Sequence, residues 1–61
     1  MNCTYNIYRQ LDEGKSPVVW VDRVNGLEQA TERVNDLRVT LPGNYLVYDV
    51  RERTVVRVWA N

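Results

Sequence analysis

Polar and apolar side chains alternate near the start of the chain, with Tyr5, Ile7 and Leu11 on one parity and Thr4, Asn6, Tyr8 and Gln10 on the other. A period of two belongs to a strand with one buried face, so a first strand is expected over residues 3–11. Asp12 to Pro17 mixes charged and turn-forming residues, and a proline cannot donate to a central ladder, which predicts a hairpin loop. Residues 18–24, VVWVDRV, are branched and aromatic and read as a second strand.

Asn25-Gly26-Leu27-Glu28 then pairs a capping side chain with a glutamate three residues later, which predicts a helix start. At about 100° per residue, Leu27, Ala30, Val34, Leu37 and Leu41 gather on one side while Glu28, Gln29, Glu32 and Asp36 turn away. Pro42-Gly43 ends the helix, because proline disfavours helical geometry in the residue before it. Two strand-like segments follow, residues 44–49 and 54–60, joined by the charged stretch 50–53. Nine of the eleven valines lie outside the helix, which supports strands over an all-helical alternative.

The expected order is therefore β-β-α-β-β in one α+β domain over residues 1–61, a four-stranded antiparallel sheet with one helix on one face. Pro17, Asp22 and Arg23 on the second strand, and Arg53 and Arg57 near the fourth, suit exposed sheet edges. That favours the spatial order 2-1-3-4, with the first strand between the second and third.

One helix can roof one side of such a sheet, yet several strands carry apolar residues on both parities. Val56 and Val58 oppose Val55, Arg57 and Trp59; Val19 and Val21 oppose Val18 and Trp20; Leu46 and Tyr48 oppose Tyr45 and Val47. Two-faced strands occur where both faces of a sheet are covered, and a large uncovered apolar patch marks an interaction surface. The expected interface on the helix-free face comprises Tyr8, Tyr45, Val47, Val55, Arg57 and Trp59. Scattered apolar residues half covered by arginine stems are the plainer alternative.

Length sharpens this expectation. A chain of 61 residues supports only a marginal core. Cys3 is the single cysteine and histidine is absent, so neither an internal disulfide nor a zinc site can staple the fold. Self-association, most simply a homodimer, is the remaining staple. The start shows no export signal and no long apolar run, so a cytoplasmic location without a membrane anchor is expected. Asn2-Cys3-Thr4 matches a glycosylation triplet that such a chain would not use, and Cys3 reads as a small apolar residue rather than a reactive thiol.

The usual general base is missing, no hydroxyl or thiol has an evident activating neighbour, and the three glycines are isolated, so no enzyme and no cofactor are expected. Glu28, Glu32 and Asp36 form an acidic helix ridge that reads as a solvated face rather than a cation site. A sheet bearing Tyr, Trp and Arg resembles the stacking platforms used for single-stranded nucleic acids, but eight basic residues balance eight acidic ones, which argues against a phosphate footprint. An accessory subunit of a larger complex would use the same surface. The stretch Leu41-Pro42-Gly43-Asn44-Tyr45-Leu46-Val47-Tyr48-Asp49 resembles short uncharacterised bacterial proteins with a Pro-Gly-x-Tyr-x-Val-x-Asp segment. That resemblance implies a bacterial origin and carries no known activity. The turn glycine of that group is missing from Asp49-Val50-Arg51-Glu52-Arg53-Thr54.

Overall fold

A computed structural model describes residues 3–10 and 18–60. In chain order the elements are β1 (Thr4–Gln10), β2 (Val18–Asn25), α1 (Leu27–Thr40), β3 (Asn44–Asp49) and β4 (Thr54–Trp59). The strands form one sheet in the order β2-β1-β3-β4, every neighbouring pair antiparallel, as the edge residues implied. The expected loop over residues 12–17, the end of the first strand at Leu11 and the edge role of Pro17 lie outside the described residues.

The core follows from the alternation of β1 and the stripe of α1. Ile7, Ala30, Val34, Tyr45 and Val47 are buried together, with Tyr5, Val21, Val24, Leu37 and Trp59 packed around them. Ala30 and Val34, four residues apart, project from one side of α1, which packs over β1 and β2. The ends of the stripe do not reach the core: Leu27 is 39% and Leu41 47% exposed. Leu41 is the C-cap, with φ −138°, so it has already left the helical spiral.

The helix start differs from expectation for a backbone reason. Asn25 is still in β2, opposite Thr4, so the reciprocal cap does not form and Gly26 becomes the N-cap with no side-chain bond. Gly26 turns the chain at φ 90°, ψ 141°, a region essentially closed to residues with a Cβ. Its N–H donates to the Cys3 carbonyl at 2.7 Å, tying the start of β1 to the helix entry.

At the other end, the Tyr45 hydroxyl donates to the Leu41 carbonyl at 2.5 Å and Arg9 Nη2 donates to the Pro42 carbonyl at 2.9 Å. The Arg9 guanidinium lies against Gly43 so closely that a Cβ there would sit 2.9 Å from Arg9 Nε. That Nε is buried and has no hydrogen-bond partner among the described residues.

Each edge strand carries a bulge. Ile7 pairs with Asp22 and Tyr8 with Trp20, so Val21 is an extra residue in β2. Val47 pairs with Arg57 and Tyr48 with Val55, so Val56 is an extra residue in β4. Bulges of this kind reverse the parity of the residues beyond them.

A candidate interface on the helix-free face

Ile7 and Val47 stand opposite each other in the ladder and are both fully buried beneath α1. Their chain neighbours therefore project to the other side of the sheet, because side chains alternate along a strand. Register extends that assignment across all four strands. One complete row on the helix-free side is Trp20, Tyr8, Leu46 and Val58; the next is Arg23, Asn6, Tyr48 and Val55.

Of the six expected interface residues, Tyr8 and Val55 lie on this face. Tyr45 and Val47 do not: both are core residues, at most 1% exposed. Arg57 is opposite Val47 and Trp59 opposite Tyr45, so they too belong to the helix side. There the Arg57 guanidinium carbon sits 5.6 Å from the centre of the Trp59 ring. Strict alternation groups Val55 with Arg57 and Trp59, and the extra residue Val56 is what separates them. Trp20, Leu46, Tyr48 and Val58 take the vacated places. The two-sided strand pattern pointed to such residues without saying which side was covered.

The face is apolar with a polar seam. Trp20 is 53% and Val58 65% exposed, and they mark the two edges. Between them Tyr8 and Tyr48 meet edge to face, ring centres 6.4 Å apart at 82°. Asn6 accepts long hydrogen bonds at 3.4 Å from Trp20 Nε1 and from Arg23 Nε, and donates one of 3.4 Å to the Tyr8 hydroxyl. These contacts hold the indole and the guanidinium beside the sheet.

Charge is distributed unevenly between the two sides. Asp22 is in the helix-side row with Ile7 and pairs with Arg33 of α1 at 2.8 Å. The Arg33 hydrogen bond first, and the Arg23 backbone N–H second, hold the Asp22 carboxyl below the usual carboxylate value. Glu28, Glu32 and Asp36 are on α1, Asp49 is buried at the end of β3, and Glu52 is in the β3–β4 turn. The two rows of the helix-free face thus contain one guanidinium, Arg23, and no carboxylate.

Among the described residues, no group of three or more His, Cys, Asp or Glu side chains is placed to hold a metal ion, and no helix is long and apolar enough to cross a membrane. The chain matches no protein-family model, and neither a curated protein nor a solved structure matches it.

Proposed function

We propose that the protein is a non-catalytic binding domain that associates with a second copy of itself through the helix-free face of the sheet. The observation that carries this reading is the pair of rows led by Trp20 and Arg23, which expose aromatic and aliphatic surface that α1, lying on the opposite side, cannot cover. A buried core of five apolar residues among the described residues is small, and a matching sheet would add to the burial. The bulges at Val21 and Val56 interrupt both edge ladders, which disfavours edge-to-edge pairing and leaves the face as the surface to share.

Strands spaced about 4.8 Å apart and rising about 3.3 Å per residue give a flat footprint of about 400 Å² for this face. Two such footprints make about 800 Å² in total, below the range of stable interfaces and within that of weak, transient ones, so association should depend on concentration. Sedimentation equilibrium from low to high micromolar protein tests it. A mass rising from 7.2 kDa toward twice that value is expected, and Leu46→Glu should hold the chain at the monomer mass. A wild-type mass fixed at the monomer value across that range overturns the proposal.

One observation favours a second reading. A face with three aromatic side chains, a guanidinium and an amide but no carboxylate also suits the stacked bases of a single-stranded nucleic acid. Titration with mixed oligonucleotides at low salt separates the two: quenching of Trp20 fluorescence that fades with added salt supports the nucleic acid, and no quenching removes it.

A further inference from the structure

The first row of the helix-free face is graded in size from one edge to the other, and the second places a long side chain, Arg23, on β2 and a short one, Val55, on β4. In the first, the large rings of Trp20 and Tyr8 occupy β2 and β1, while Leu46 and Val58 occupy β3 and β4. From this gradient we infer that the partner copy docks about a two-fold axis running along the strands. The inference rests on the self-association proposed above and adds its geometry.

Two stacked sheets related by a two-fold have their axis in the plane between them. In aligned sheet packing, with about 10 Å between the sheets, two simple choices remain: an axis along the strands or an axis across them. An axis along the strands lays β2 over β4 of the other copy and β1 over β3. Trp20 then meets Val58 of the partner subunit, and Tyr8 meets Leu46 of the partner subunit. In the second row Arg23 meets Val55 of the partner subunit, so neither guanidinium faces the other. Large side chains rest on small ones throughout, as a packed interior requires.

An axis across the strands stacks one row on the other instead. It sets Trp20 against Arg23 of the partner subunit, long side chain on long side chain, at one edge. At the other edge Val58 faces Val55 of the partner subunit, short on short. One edge is then two long side chains thick and the other two short ones, so the sheets would have to splay apart from one edge to the other instead of packing at an even spacing.

Mixing two single variants tests the choice. Trp20→Val alone leaves valine against valine and opens a gap; Val58→Trp alone sets indole against indole. Each should weaken its own homodimer about tenfold or more. Mixed together they restore indole against valine at both contacts, so a heterodimer with close to wild-type affinity is expected by sedimentation or native mass spectrometry. The chain carrying both substitutions should likewise recover its homodimer. Trp20 and Val58 are both exposed, so the fold should survive, which circular dichroism checks. If either variant is unfolded, the exchange Tyr8→Leu with Leu46→Tyr asks the same question at the centre of the face.

A wild-type dimer whose two variants associate no better mixed than alone, and whose double variant is as weak as the product of the single losses, overturns the strand-parallel axis. A wild-type chain that never dimerises overturns the parent proposal instead.

Discussion

The backbone N–H of Arg53 donates to the carbonyl of Asp49 at 2.7 Å, and the same Asp49 takes the N–H groups of Arg51 and Glu52 on its carboxylate at 2.9 and 3.1 Å. One aspartate at the end of β3 therefore organises the whole β3–β4 connection. Arg53 closes it at φ 57°, in the left-handed region where a side chain is strained. Glycine is the residue that such a position favours. Arg53→Gly should stabilise the fold by about 0.5–1 kcal/mol, and Asp49→Ala should cost about 1–3 kcal/mol, both read from urea midpoints at constant slope. A destabilised Arg53→Gly variant would contradict the strained turn.

Gly26 gives the second prediction. Open space surrounds its Cα, so an added methyl would touch nothing, and the cost of Gly26→Ala comes from φ alone. A loss of about 1–3 kcal/mol is expected. For a domain of this size that is a large share of total stability, visible as a lower melting temperature. An unchanged melting temperature would count against the described turn.

The two tyrosines of β3 should respond differently to loss of their hydroxyls. Tyr45→Phe leaves the Leu41 carbonyl without its donor beside the core and should cost about 1 kcal/mol. Tyr48→Phe alters a partly exposed residue of the other face and should change stability by less than about 0.5 kcal/mol. A larger loss at Tyr48 than at Tyr45 would mean that β3 presents the opposite side to the helix.

Asp22 gives a pH signature. Its folded pKa is lowered, so its pairing with Arg33 strengthens folding above the ordinary value of about 3.9 and is lost as the pH falls through the folded value. The pair is largely solvated, which limits its worth to less than about 1 kcal/mol. Carbon-detected NMR titration should find Asp22 below the usual carboxylates, and Arg33→Gln should move it back up. An Asp22 that titrates normally in the native protein would remove the pair.

The element order and the strand order were legible because each strand carries its own local signal. The edges in particular were marked by Asp22, Arg23 and Arg57. The facing of β3 and β4 was not legible, and the reason lies in how register is set. β3 reaches β1 through α1 and not through a tight turn, so no short loop chemistry fixes which of Tyr45 or Leu46 faces inward. Both parities of β3 are equally apolar, and the choice falls to the pairing of Val47 with Ile7. In β4 a single extra residue, Val56, exchanges the sides of Arg57 and Val58, and nothing in a run of valines announces a bulge. Asn25 misled for a related reason: a good cap residue stayed in the ladder because Thr4 was there to pair with it.

Arg9 and Gly43 lie far apart in sequence, yet they occupy almost the same volume at the entry to β3. A lineage that gives position 43 a side chain must first withdraw the arginine at position 9, and one that shortens Arg9 opens room for a bulkier neighbour. The two sites should drift together, as a single unit of inheritance with a shared steric ceiling.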